Sequence, residues 1–108
     1  MLDISTGKIV RVIALAQEFG ADSTRLRDYI AGLNEDEQVS LVACTWIGRD
    51  SFSAEEIQEA IDTARLEKVA PTEEYLGGIP ELASFLESGM DALGFDVARE
   101  EDHLRERD

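Results

Sequence analysis

Chemistry-bearing residue types crowd together in Thr45-Trp46-Ile47-Gly48-Arg49-Asp50, where an indole, a guanidinium and a carboxylate lie within five positions. Trp46 is the only tryptophan of the chain. Arg49 beside an indole could clamp an anion or a partner's carboxylate. Each residue also has a structural job. Trp46 falls on a helical apolar stripe, with its indole N–H meeting a carbonyl. Gly48 suits the left-handed position that ends a helix. Arg49 near that end complements the helix dipole, and Asp50 can begin the turn toward Ser53. The structural account takes precedence over the site.

A second cluster is Glu73-Glu74-Tyr75-Leu76-Gly77-Gly78-Ile79-Pro80. Paired glycines before a helix can cradle phosphate on backbone N–H groups. Here no Lys-Ser or Lys-Thr pair follows, no G-x-G-x-x-G or P-loop pattern occurs, and the adjacent glutamates repel phosphate. A tight helix–helix turn is expected, with Tyr75 docked inward and its hydroxyl toward a partner such as Arg49. Glu100-x-x-His103 has the spacing of di-metal carboxylate bundles, but those need the motif twice, and His103 is the only histidine. Glu55, Glu59 and Asp62 read as a solvated helix face. Cys44, the only cysteine, reads as a small buried residue with no base near it. It permits no intrachain disulfide and no cysteine metal cluster. No catalytic, cofactor-binding or metal-binding set is assigned, so the reading leans away from an enzyme.

Helices must position these residues, since almost nothing alternates with the period of a strand. The first is expected from Ser5 or Thr6 to Phe19, with Ile9, Val12, Ile13, Ala16 and Phe19 inward and Gly20 as the stop. Ser23 or Thr24 caps a short second helix with Leu26, Tyr29 and Ile30 inward, ended by Gly32. Asn34 caps the third, whose first turn holds Glu35, Asp36 and Glu37, and Val39, Val42, Ala43 and Trp46 form one buried stripe. Ser53 and Glu56 make a capping box for the fourth. Its apolar face is Ile57, Ala60, Ile61 and Ala64. A single turn follows Pro71. Pro80 can occupy the first position of a last helix, with Leu82, Phe85, Leu86, Gly89, Met90 and Leu93 inward and Gly94 as the stop. Gly89 in that stripe costs about 1 kcal/mol against alanine, which implies a close helix crossing, within the fold or at a dimer seam. The expected fold is all-α: one compact bundle of five to six helices over residues 1–97, and a polar tail, frayed or disordered, over 98–108.

The net charge is −14, with −3 in residues 1–54 and −11 in residues 55–108. Such a surface repels nucleic acid and anionic membranes and admits a basic protein partner. A helix-turn-helix is rejected because its recognition helix would begin Glu35-Asp36-Glu37. No apolar run reaches the roughly 20 residues of a membrane span, and the first ten residues do not resemble a signal peptide. A reduced cytoplasmic setting is the expectation.

From about Glu35 to Gly94 the sequence resembles a small bacterial family of unknown function. The likeness lies in Trp46-Ile47-Gly48-Arg49 and then in Thr72, Tyr75-Leu76, Gly78, Pro80, Leu82, Phe85-Leu86-Glu87 and Gly89. It leaves out the first helix and the tail. Family members often have glycine at Asp50 or its neighbour, where this chain departs. The resemblance implies a cytoplasmic bacterial protein and implies no activity, substrate or catalytic residue. Because the two blocks occur as one unit, Arg49 is expected to bond the carbonyls or carboxylates of the Glu73–Gly78 turn and lock the helix pairs together. The functional expectation is a non-enzymatic helical domain that associates with itself or with another protein. The alternative is a small-molecule or anion-binding domain using Arg49, Trp46 and Tyr75.

Overall fold

The structure, a computed structural model, describes residues 2–67 and 71–95. The described residues form six α-helices: α1 (Thr6–Phe19), α2 (Thr24–Ala31), α3 (Glu35–Gly48), α4 (Ile57–Glu67), α5 (Thr72–Gly77) and α6 (Leu82–Ala92). A 3₁₀ turn, Ala54–Glu56, leads into α4. The all-α expectation holds. The polar tail, including Glu100 and His103, lies outside the described residues.

Local chemistry sets the helix ends. Ser5 Oγ accepts from Lys8 N–H, and Ser23 Oγ accepts from Leu26 N–H, each at 3.2 Å. Asn34 Oδ1 accepts from Glu37 N–H at 2.8 Å, while Glu37 Oε1 accepts from Asn34 N–H at 3.0 Å. That reciprocal pair satisfies two backbone donors which a helix start otherwise leaves open. Ser53 N–H donates to Glu56 Oε1 at 2.8 Å. Gly20 and Gly94 end α1 and α6 with φ of 94° and 92°.

Helix α3 is the axis of the fold. It was expected to bury one stripe, yet every residue from Val39 to Ile47 is buried. The ten residues from Val39 to Gly48 contain no charged side chain, so no face of them favours water over protein. Its polar members are satisfied inside: Thr45 Oγ1 donates to Leu41 O at 2.9 Å, and Ser40 Oγ accepts from Asp3 N–H at 2.8 Å. Helix α6 and helix α4 pack on α3, α1 packs on α6 and α2, and α2 packs on α5. From α1, Ile9, Val10, Val12 and Ile13 enter the core.

Three expectations about ends and faces are corrected. Phe19 does not turn inward but is 40% exposed, with the Arg25 guanidinium 4.7 Å from its ring centre. An exposed ring face beside a cation is a favourable place for it. Pro80 does not start α6. It sits in the preceding turn, and the helix begins at Leu82. Gly48 is not the left-handed residue after α3 but its last helical residue. Asp50 takes the left-handed conformation, with φ of 66°.

Gly48 is required for another reason. A Cβ there would lie 1.6 Å from Phe85 O, and a Cβ on Gly89 would lie 2.2 Å from Cys44 O. Each glycine therefore admits the backbone of the other helix, four residues from the partner glycine in each case. The close crossing expected at Gly89 is internal, between α3 and α6.

Candidate functional site

The block around Trp46 and the α5 turn do come together. Trp46 Nε1 donates to Tyr75 Oη at 2.9 Å. The indole was expected to meet a carbonyl, and the Tyr75 hydroxyl was expected to meet Arg49. Each instead meets the other. The pairing follows from position: Trp46 lies in the last turn of α3 and Tyr75 in the middle of α5, whose inner residue Leu76 is fully buried. Phe52, in the loop after α3, stacks on the indole with ring centres 5.9 Å apart and planes 26° apart. The stack leaves Trp46 only 8% exposed. Sequence reasoning did not single out Phe52, although an aromatic in an otherwise polar loop six residues after the tryptophan is a usable signal.

Arg49 is not the lock. It is exposed, and its Nε donates to Ser51 Oγ at 3.0 Å. Because Gly48 is still helical, Arg49 is the residue that caps the helix. Asp50 is exposed beside it in the left-handed conformation. An aspartate tolerates that conformation better than most residues. Of the residues expected to form one cluster, Trp46 and Tyr75 meet, while Arg49 and Asp50 stay at its outer edge. Gly89 is in the α3–α6 crossing.

An arginine does meet the α5 turn, and it is Arg27 of α2. A Cβ on Gly77 would lie 2.9 Å from Arg27 Nε and 3.3 Å from Ala21 O, so the guanidinium rests on the glycine backbone. That Nε is closed off from solvent and has no hydrogen-bond partner. Nothing in the local sequence of α2 marks Arg27 apart from its place beside core residue Leu26.

Elsewhere the titratable groups serve the fold. Cys44 is buried, and burial pushes its thiol up to about 12. Its Sγ lies 3.9 Å from Leu86 O at the α3–α6 crossing. Lys8 Nζ pairs with Glu37 Oε2, and that hydrogen bond holds the Glu37 carboxyl below the usual carboxylate range and the Lys8 ammonium above the usual lysine range. Tyr29, next to them, is raised chiefly by burial. Arg65 of α4 pairs with Asp36 at 2.9 Å and reaches Glu35 at 4.0 Å, tying α4 to the start of α3. Among the described residues no group of three or more His, Cys, Asp or Glu is arranged to hold a metal ion. No described helix is long and apolar enough to cross a membrane.

No curated protein and no solved structure matches the chain. A family described as "Protein of unknown function (DUF3775)" matches residues 23–95. The match takes in α2 to α6, with the Trp46–Tyr75 pair, the Arg27–Gly77 contact and the glycine crossing inside it, and it begins ahead of the boundary near Glu35 expected from the sequence. With well over half its length matched, the chain belongs to this family of unknown function.

Proposed function

We propose that the protein works without catalysis, as a helical domain that associates with a basic protein segment or with itself. The observation that carries this reading is Leu66, which is 86% exposed on α4. On α4 it follows Glu59 and Asp62 at spacings of three and four residues, with Glu55 in the turn before the helix, and all three acids are exposed. An apolar side chain at the end of an acidic stripe offers a contact to a segment with basic residues and one apolar anchor. Arg65, the neighbouring base, is held by Asp36 and does not neutralise the stripe. The chain's charge of −14 extends the attraction beyond the face itself.

The test compares the tagged full chain with Leu66→Ser in parallel captures from lysate of the source organism, read by quantitative mass spectrometry, and adds sedimentation of the purified protein. The reading expects either a stoichiometric basic partner that Leu66→Ser loses and added salt weakens, or a self-associated species that Leu66→Ser loses. If the purified protein stays monomeric and nothing captured depends on Leu66, the reading fails.

The alternative, an anion-binding surface, is favoured by the exposure of Arg49 beside the Trp46–Tyr75 pair. Arg49→Ala would then abolish anion binding and leave the melting temperature unchanged, because its side chain bonds only the local Ser51.

A further inference from the structure

Among the described residues the exposed large apolar side chains are Phe19, at 40%, and Leu66, at 86%. They stand in opposite electrostatic settings. The Arg25 guanidinium lies 4.7 Å from the ring centre of Phe19, and Arg25 is itself exposed. Leu66 follows the exposed acids Glu59 and Asp62 on α4. The contrast extends beyond the two side chains. From Thr6 to Ala31 the sequence carries four bases and three acids, a balance of +1, whereas from Ala54 to Glu67 it carries five acids and one base, a balance of −4. That one base, Arg65, is engaged by Asp36. Helices α3, α5 and α6 hold no base. Among the described helices, α1 and α2 are therefore the ones able to answer the charge of the α4 face.

The two patches are too far apart to cover each other within one chain. Arg65, next to Leu66, reaches Asp36 at the start of α3, where Lys8, near the start of α1, reaches Glu37. Phe19 ends α1 eleven residues after Lys8, about 16 Å away along the helix.

We propose that the occupant of the Leu66 face is a second copy of this chain, which seats Phe19 and Arg25 against Leu66, Glu59 and Asp62. This rests on the reading of the α4 face as an association surface and names its partner. Phe19 and Leu66 remove each other's apolar surface from water. Arg25, which has no ion pair among the described residues, gains a carboxylate. The contact is head to tail, because the two surfaces differ, so each copy keeps one patch free for the next. Two copies at −14 repel at long range. At about 0.15 M salt that repulsion is screened beyond about 8 Å, while the charges that meet at the contact are opposite. Two apolar anchors make a small interface of the weak, transient class.

The experiment is sedimentation velocity of the purified full chain at about 0.15 M salt, over concentrations reaching about 1 mM. Phe19→Ser and Leu66→Ser are run beside it, and both side chains are exposed, so the core is left intact. The wild type should shift to larger species as concentration rises. Each variant alone should associate at least about tenfold more weakly. Mixed one to one, the variants should form a dimer that grows no further, because each supplies the patch the other lacks. Wild type that stays monomeric throughout, Leu66→Ser that associates like wild type, or a mixture that stays monomeric where wild type associates overturns the proposal. If monomeric wild type still captures a basic partner that Leu66→Ser loses, the association face stands and the second copy is the wrong occupant. If Leu66→Ser loses no captured partner either, both readings fall.

Discussion

Alanine at Gly48 or Gly89 tests the central packing claim, because helix propensity and packing pull in opposite directions there. In a loosely packed helix either substitution would stabilise by about 1 kcal/mol, since glycine is the poorer helix former. At the α3–α6 crossing the new methyl group meets backbone. At Gly48 the 1.6 Å approach to Phe85 O falls short of a 3.0 Å floor for real contacts, so the helices must part by about 1.4 Å. At Gly89 the 2.2 Å approach to Cys44 O demands an opening of about 0.8 Å. A gap of roughly 0.5–1 Å already forfeits a quarter to a half of each dispersion contact. The losses fall on Leu82, Leu86 and Met90, all fully buried on α6. Overpacking of this kind costs about 1–3 kcal/mol in general. We expect Gly48→Ala to lose about 2 kcal/mol and Gly89→Ala about 1 kcal/mol, net of the propensity gain.

The double variant is the sharper measurement. Once one methyl has parted the helices, the second meets less resistance, so the combined loss should fall short of the sum by at least about 0.5 kcal/mol. Urea unfolding followed by circular dichroism and by Trp46 fluorescence, with equal m-values, gives all four stabilities. Either single variant matching or exceeding the wild type, or strictly additive losses, would refute the crossing.

The other predictions concern single groups. Tyr75→Phe removes the acceptor of the indole N–H and should cost about 1 kcal/mol in urea unfolding, with a change in native Trp46 emission. Asp50→Gly relieves a left-handed residue at φ 66° and should stabilise by about 0.5–1 kcal/mol, read as a raised unfolding midpoint. Cys44, buried with its thiol pushed up to about 12, should resist a thiol reagent at pH 8 in the native protein and react at once in denaturant. Glu37 is depressed by its bond to Lys8, so the stability it contributes is full above the ordinary carboxylate range and is lost as pH falls through its lowered value. The raised Lys8 contributes below the ordinary lysine range and loses that contribution as pH rises through its raised value. Glu37→Gln should flatten both limbs of the stability–pH profile.

Helical periodicity and capping chemistry, which are local, were legible without coordinates. Ser23, Asn34 and the Ser53–Glu56 pair act where their spacing put them, and α4 buries Ala60, Ile61 and Ala64 as its pattern implied. What failed depended on long-range geometry. The uncharged run from Val39 to Gly48 carried the information that α3 is buried on all sides, but reading one stripe within it concealed that. Gly48 read as a helix stop because a glycine near a helix end normally is one. Its actual constraint comes from Phe85, thirty-seven positions away, which no local rule can see. The bond between the two motif blocks runs from Trp46 to Tyr75, whereas Arg49, expected to make it, bonds Ser51. A guanidinium was given the role because its charge made it conspicuous, whereas the indole, one turn earlier and on the packed face, had the shorter reach and made the bond.

The family boundary adds a last step. The match begins at Ser23, yet α1 supplies Ile9, Val10, Val12 and Ile13 to the same core, and packs on α2 and α6, both inside the matched region. Burying an aliphatic side chain contributes about 1.5–3 kcal/mol before entropy is counted, so the four residues together compare with the whole net stability of a small domain. The packed unit in this chain is therefore larger than the matched unit. The Lys8–Glu37 pair ties α1 to α3, the element on which the rest of the fold is built, and the Asp3–Ser40 bond ties the segment ahead of α1 to the same helix. The surface that α1 covers on α2 and α6 is closed here by the chain itself.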